Sequence, residues 1–187
     1  MNIEVEVKLK IENRNEVREK VASLGKFVKS IKQIDEYYIP SHRDFFAQKP
    51  HPLEWMRIIT EPDRVIFGYY RSISTEIEKE RGRVDEEYES EITNYEDFKK
   101  TLEFLDFKKI ITVTKEREYW EYGKLEIALD KIKELGDFIE VEAKGDFKSD
   151  KEAKSACVSL LHKLGIENTD DKELWEGYAE MVLNKKL

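Results

Sequence analysis

The sequence predicts an α+β fold, an eight-stranded antiparallel β-barrel with helices packed against its outside. Three observations lead to this fold. Several stretches alternate between apolar and charged residues, as in IEVEVKLKI at 3–11, which is the pattern of a strand with two unlike faces. Amphipathic helical segments are available to cover the apolar faces. The order strand, helix, long strand and strand pair occurs at 2–72 and again at 83–146, an approximate internal duplication.

The strands are predicted from this alternation and from the turn residues between them. The clearest turn signals are EPDR at 61–64 and YGK at 122–124. Mostly short connections between neighbouring stretches favour hairpins and therefore an antiparallel sheet. The predicted strands cover 2–12, 27–39, 53–60, 64–72, 83–92, 108–120, 123–131 and 137–146.

Four stretches have the spacing of amphipathic helices, and the first two begin at an asparagine that can cap a helix. There is no low-complexity segment and no Pro- or Gly-rich linker, so residues 1–187 are predicted to form a single domain. Within it, 149–187 is predicted to be a helical segment that covers one face of the barrel. The predicted helices cover 13–25, 94–107, 149–165 and 169–183.

Composition excludes several functional classes. A formal net charge of −8 argues against nucleic acid or an anionic membrane as the main partner. The single cysteine, Cys157, excludes an internal disulfide framework and suits a reducing compartment. The N-terminus has no apolar signal segment, and no stretch approaches membrane-spanning length. We therefore expect a cytoplasmic protein with no nucleic-acid or membrane partner; a homodimer stays open.

The direction of the charged faces decides the function. For one strand alone, a solvated polar face is the commoner case. Because helices can cover the apolar faces, the charged faces of the whole set are expected to point into the barrel. Two carboxylates about 5 Å apart repel by roughly 3 kcal/mol at an effective dielectric constant of 20, so several of them need a cation. The carboxylates on these faces are Glu4, Glu6, Glu87, Glu89, Glu91, Glu126, Asp130, Glu140 and Glu142.

The ligand chemistry follows from the two kinds of charge. Oxygen-only ligands select a hard divalent ion such as Mg²⁺ or Mn²⁺. Lysine and arginine donors suit phosphate oxygens, and several lie on the same strands. A metal site beside a basic cluster in one tunnel predicts a polyphosphate as the small-molecule partner. The basic residues concerned are Lys8, Arg57, Arg83, Lys115 and Arg117.

The stretch EVEVK (Glu4, Glu6, Lys8) resembles the N-terminal E-x-E-x-K signature of the CYTH domain, within the triphosphate tunnel metalloenzymes. That superfamily includes class IV adenylyl cyclases, thiamine triphosphatases and inorganic triphosphatases. Seven further blocks follow in order up to residue 142, which makes the resemblance specific. They are QIDEYY, HRDFF, MRI, EYESEI, KERE, ALD and LGDFIEVE.

The resemblance implies a tunnel that binds a linear triphosphate end-on, with roles carried over position by position. It implies two divalent ions held by Glu4, Glu6, Asp130, Glu140 and Glu142, with Glu4, Glu6, Asp130 and Glu142 as the catalytic set. Glu89 and Glu91 match a supporting pair. The phosphates would be held by Lys8, Arg57, Arg71, Arg83, Lys115 and Arg117.

Two departures from the family pattern affect the phosphate site. The usual R-x-R of the third strand is Arg57-Ile58-Ile59 here, which removes one phosphate ligand. The next strand usually carries a lysine, and here IFGYYRS leaves either Tyr70 or Arg71 to take its place.

Three functions remain possible from the sequence. A triphosphatase is favoured, since water needs no base pocket and no purine-specific motif is visible. A class IV-type adenylyl cyclase making cyclic AMP from ATP is the first alternative. A non-catalytic polyphosphate- or nucleotide-binding protein is the second, suggested by the departures above. Asp85 and Glu86 are expected to be surface charges, and Cys157 to be a buried apolar side chain.

Overall fold

The computed structural model describes residues 3–73 and 83–186. In this part of the chain eight strands form a closed, entirely antiparallel barrel, in the order β1-β5-β4-β3-β2-β6-β7-β8 around the ring. The predicted barrel is thereby confirmed. In chain order, β1 to β8 are Ile3–Ile11, Lys26–Ile39, Glu54–Thr60, Val65–Ser72, Arg83–Glu91, Lys108–Tyr122, Leu125–Ile132 and Gly136–Ala143.

Three of the helices in the described residues begin directly after a residue whose side chain caps the helix. The side chains of Asn13, Asn94 and Ser149 each accept a hydrogen bond from a first-turn N–H. The order β1-α1-β2-β3-β4 is repeated as β5-α2-β6-β7-β8, which agrees with the predicted duplication. In chain order, α1 to α5 are Arg14–Leu24, Tyr95–Phe104, Asp150–Lys163, Thr169–Lys172 and Tyr178–Lys186. None of these helices is long and apolar enough to cross a bilayer.

Most of the hydrophobic core lies between the barrel and the helices. The outward apolar faces of β1, β7 and β8 are covered by α1 and α3, and α2 covers the outside of β3 and β4. Full burial of an aliphatic side chain contributes about 1.5–3 kcal/mol, so these outer layers hold the barrel together and leave its charged faces inside. Residues at the centre of the layers include Leu9, Val21, Ile58, Leu102, Ile127, Ile139, Cys157 and Leu161.

The prediction of one continuous helix at 169–183 is wrong. The structure has two short helices, α4 and α5, separated by residues 173–177. Glu173 instead forms a buried ion pair with Lys154 of α3, at 2.7 Å. The N–H of Leu174 donates to the carbonyl of Lys8 in β1, at 2.9 Å. These tertiary partners replace the helical hydrogen bonds that the periodicity predicted.

The C-terminal segment also closes an end of the barrel and does not simply cover one face. Residues of α5 pack against apolar side chains that point into the lumen from β2, β6, β7 and β8. A hydrophobic plug therefore fills one end of the lumen. The sequence analysis expected charged side chains inside the barrel and did not predict this plug. The residues of this plug include Tyr37, Ile111, Val113, Ile132, Phe138, Tyr178, Ala179 and Val182.

Candidate functional site

A cavity of about 340 Å³ occupies the lumen beyond the plug. Every strand contributes to its wall, because alternate residues of each strand face inward. The volume is at the small end of the range for ligand pockets. One lining residue from each of β1 to β8 is Glu4, Gln33, Arg57, Ile66, Glu87, Lys115, Glu126 and Glu142.

The deepest charges form a basic layer around Asp35. The Asp35 carboxylate is fully buried and accepts hydrogen bonds from Gln33 (2.7 Å) and Arg57 (3.2 Å). The Lys115 side chain is 2% exposed, and its Nζ lies 3.4 Å from Asp35. Burial alone would raise the pKa of Asp35, but the charges of Lys115 and Arg57 outweigh it and lower that pKa. Asp35 thus holds two cations in place while remaining ionised.

Arg117 organises a second buried network. It donates two hydrogen bonds to the carboxylate of Asp130 and one to Glu140. The Tyr178 hydroxyl of the plug also donates to Asp130, at 2.9 Å. Glu140 lies 3.2 Å from Lys8 Nζ. Burial opposes ionisation of Glu140, but Arg117 and Lys8 hold its pKa well below its usual range.

Glu6 connects this network to β5. Its carboxylate lies 3.4 Å from Lys8 Nζ and 3.6 Å from Arg83 Nε. Arg83 Nε donates to Asp85 at 3.0 Å, and the Arg83 guanidinium stacks over the Trp55 ring. Asp85 is buried and lines the cavity, so the expectation that it is a surface charge was wrong.

An acidic group lies nearer to solvent. Lys144 Nζ lies between the carboxyls of Glu4 and Glu142, 3.1 Å from a Glu4 oxygen and 2.5 Å from a Glu142 oxygen. Burial and the neighbouring Glu4 raise the pKa of Glu142 to about 10. Burial, followed by the charge of Glu4, raises the pKa of Glu87 to about 8. The group carries more carboxylates than nearby cations can keep ionised at neutral pH.

Most of the predicted site residues line the cavity. The exposed fraction of each side chain indicates its depth in the cavity. The side chain of Lys115 is 2% exposed and that of Glu4 is 30% exposed, so the basic layer lies deeper in the cavity than the acidic group. The predicted residues that line the cavity are Glu4, Glu6, Lys8, Arg57, Arg83, Glu89, Lys115, Arg117, Glu140 and Glu142.

Arg71 does not face the lumen, and its predicted phosphate-binding role is contradicted. Its side chain is 56% exposed on the outside of β4, where it makes two hydrogen bonds to Glu86. Tyr70 faces inward instead, stacked on Trp55 and donating to Glu89 at 2.5 Å. Its ring needs the glycine at 68, since a Cβ there would lie 2.4 Å from the Tyr70 hydroxyl.

Two further predicted residues are not gathered with the acidic group. Both oxygens of Asp130 are taken by Arg117 and Tyr178, so they are not available as metal ligands in this arrangement. Glu91 is exposed and borders a separate groove beside α2. No three of the predicted carboxylates have ligand oxygens that all lie within 4.8 Å of one another. Within the described residues, only His51, Glu176 and Glu180 have ligand atoms this close together.

The acidic group has the donor chemistry of a site for a divalent ion, since its donors are carboxylate oxygens. Glu4 and Glu142 both place a carboxylate oxygen against Lys144 Nζ, and Glu87 lines the same cavity. Such a donor set is selective for hard ions such as Mg²⁺ and Mn²⁺. Burial, together with the neighbouring Glu4, raises the pKa values of Glu87 and Glu142, and the positive charge of a bound cation would oppose both effects.

Sequence reasoning missed several of these contributions. Glu87 was predicted to face inward but was given no role in the site. Lys144 shares the inward parity of its strand, so alternation contained the signal for it as well. Asp35 is also on an inward position, but its burial was not foreseen. Tyr178 gave no signal, because its position depends on where the last helix begins.

Comparisons with known proteins agree with this geometry. A family model described as the CYTH domain matches residues 2–173. A Methanocaldococcus jannaschii protein named "putative adenylate cyclase" is 30% identical over 96% of this chain and 98% of its own length. A solved Pyrococcus horikoshii protein is 30% identical with a TM-score of 0.79, covering 97% of this chain and 99% of its own. A Hippeastrum protein described as a "putative adenylyl cyclase" with a dominant triphosphatase activity has a TM-score of 0.65 at 14% identity, covering 100% of this chain and 96% of its own.

Proposed function

Because the chain belongs to the CYTH domain family, we propose that it is a divalent-metal-dependent triphosphatase acting on a linear triphosphate inside the barrel. One observation carries the proposal: a buried basic layer and an acidic group line a single cavity inside the closed barrel. A polyphosphate chain bearing a metal ion is complementary to both. Inorganic tripolyphosphate, a nucleoside triphosphate and thiamine triphosphate all contain this chain.

The basic layer would bind the phosphates. Lys8, Lys115 and Arg117 are held by buried carboxylates, so their donors are positioned before a ligand arrives. Arg57 lines the cavity, and its buried Nε has no hydrogen-bond partner among the described residues. A phosphate oxygen would satisfy it, and the charge-assisted bond would be stronger than a neutral one.

The acidic group would hold the metal. Glu4 and Glu142 are its proposed ligands, with Glu87 within reach of the same position. Bound there, Mg²⁺ or Mn²⁺ would neutralise phosphate charge and lower the pKa of the attacking water. The protein groups supply orientation: carboxylates fixed on β1 and β8 face cations fixed on β3 and β6. Such positioning and charge stabilisation account for most of the catalysis of phosphoryl transfer.

A cyclase is the second candidate, and the name of the M. jannaschii relative favours it. Cyclisation of ATP requires the ribose 3′-hydroxyl to be placed against the α-phosphorus, which requires a base-binding pocket. Hydrolysis makes no such demand, so the site supports it more directly. The likeness to the Hippeastrum protein concerns the fold alone and does not decide between the reactions.

A non-catalytic binding protein is the third candidate. Ile59 lines the cavity where the family usually has an arginine, and Tyr70 stands where a lysine is usual. Fewer phosphate contacts would slow a reaction that depends on positioning. Tight binding without turnover would identify this function.

The test is product analysis with tripolyphosphate and ATP, each with Mg²⁺ or Mn²⁺. A triphosphatase releases orthophosphate from both, whereas a cyclase releases pyrophosphate and cyclic AMP from ATP. Glu142→Gln should abolish turnover, and Glu116→Gln, an exposed position on the outer face of β6, should leave it unchanged. Parental turnover in Glu142→Gln would refute the metal assignment, and no product with either substrate and metal would refute catalysis.

A further inference from the structure

The ammonium group of Lys144 lies among the carboxylates proposed to bind metal. Its Nζ is 3.1 Å from a Glu4 oxygen and 2.5 Å from a Glu142 oxygen. The two carboxylates and Lys144 therefore form one charge cluster on β1 and the end of β8. A lysine in this position was not part of the predicted site.

The sheet itself directs Lys144 inward. Lys144 follows the last residue of β8, and its N–H still donates to the carbonyl of Lys124 at 2.9 Å. This bond continues the strand register by one residue, so Lys144 keeps the inward parity of Glu140 and Glu142. Its position is fixed by the backbone.

The Lys144 side chain is held by the two carboxylates, but it is exposed enough to move away from them. Its side chain is 43% exposed, whereas that of Glu142 is 18% exposed. A long, flexible side chain at the edge of the cavity can turn toward water without moving the strand.

We propose that Lys144 is a built-in competitor for the divalent metal, an internal cation that pairs with Glu4 and Glu142 and must be displaced when the metal binds. The inference rests on the metal site of the proposed function. It assigns Lys144 the role of setting metal affinity: the lysine keeps the two carboxylates together at low metal concentration and weakens metal binding by occupying the same oxygens. Lys144 is a positioning residue in this account, since it does not contact the substrate.

Two independent effects distinguish a competitor from an ordinary ion pair. Removing the charge should lower the thermal stability of the protein in a chelator, because the contacts of Lys144 with Glu4 and Glu142 are lost. The same change should tighten divalent metal binding, because nothing has to be displaced. An ion pair with a purely structural role would give the first effect without the second.

The experiment compares Lys144→Met with Lys124→Met. Lys124 lies beside Lys144 on the sheet, but its Nζ donates to the Asp146 carbonyl and contacts neither carboxylate. Mn²⁺ affinity is measured by calorimetry, and the melting temperature is measured in EDTA and in saturating Mn²⁺. Lys144→Met should bind Mn²⁺ about 1.5- to 5-fold more tightly, the change expected from losing one partly exposed ion pair. It should melt lower than wild type in EDTA, and this deficit should disappear in Mn²⁺.

Further variants and outcomes separate the inference from the proposed function. Lys144→Gln should behave like Lys144→Met, and Lys144→Arg, which retains the charge, should keep affinity near that of wild type. Lys124→Met should match wild type in every measurement. Equal or weaker Mn²⁺ binding in Lys144→Met and Lys144→Gln would overturn the inference alone. No Mn²⁺ binding by any variant, wild type included, would overturn the metal site of the proposed function.

Discussion

Replacing Lys115 by methionine tests whether the charged faces of the strands bind the ligand. Lys115 and Lys109 are both lysines on β6 and both are ion-paired, but they lie on opposite faces of the barrel wall. Lys115 is buried beside Asp35 in the lumen. Lys109 pairs with Glu36 on the outside, at 2.7 Å, because a register irregularity near Tyr37 changes the alternation. Lys109→Met is therefore a matched control on the same strand.

The stability cost follows from what Asp35 loses. Breaking a buried ion pair costs about 3–5 kcal/mol when it leaves an uncompensated charge. Asp35 keeps its hydrogen bonds from Gln33 and Arg57, so we expect Lys115→Met to lower the unfolding free energy by about 1–3 kcal/mol. For a chain of this size that corresponds to a lower melting temperature by roughly 2–12 °C. Lys109 is 49% exposed at its side chain, and an exposed pair contributes about 0–1 kcal/mol.

Lys115→Met should also weaken the binding of tripolyphosphate. A hydrogen bond to a charged group contributes about 1.5–3 kcal/mol, so losing one between Lys115 and a phosphate weakens tripolyphosphate binding by roughly 10- to 150-fold. Calorimetric titration with tripolyphosphate measures this, with thermal unfolding of each variant to confirm folding. Lys109→Met should bind like wild type. Unchanged binding in Lys115→Met, or an equal loss in Lys109→Met, would refute the assignment of the charged faces to the ligand.

Three further predictions concern the lumen. In a chelator, the unfolding free energy should fall as pH rises from about 4.5 to about 8. The pKa of Glu87 is about 8 in the folded state and lies above its unfolded value, so the folded state binds one more proton in this window. The melting temperature of Glu87→Gln should depend less steeply on pH than that of wild type, and an unchanged pH dependence would contradict this origin. Tyr178→Phe should cost about 1.5–3 kcal/mol by removing a hydrogen bond to the buried Asp130, and a denaturant midpoint like that of wild type would contradict the plug contact. Arg71→Ala should leave tripolyphosphate affinity unchanged, and a tenfold loss would place Arg71 back in the site.

The alternation of residue types predicted the barrel and its inward face well, because period-two patterning decides which side of a strand is buried. It failed where alternation is not informative. The stretch IFGYYRS has no polar alternation before Arg71, so the inward residue, Tyr70, became evident only from its pairing opposite Trp55 and Glu87. The irregularity that turns Lys109 outward likewise left no mark in the sequence.

Long-range contacts explain the remaining differences. Asp130 has the predicted inward position, but Tyr178, 48 residues later, occupies one of its oxygens. The break in the last helix depends on a buried lysine of α3 and a carbonyl of β1. Such partners lie far apart in the chain, so helical periodicity alone favoured a continuous helix.

A crystal structure of the protein soaked with tripolyphosphate and Mn²⁺ tests the central claim most directly. We expect phosphate density along Lys8, Lys115 and Arg117, an anomalous manganese peak at Glu4 and Glu142, and Lys144 turned away from both carboxylates. Phosphate and manganese bound only on the outer surface, with the lumen unchanged at saturating ligand, would contradict it.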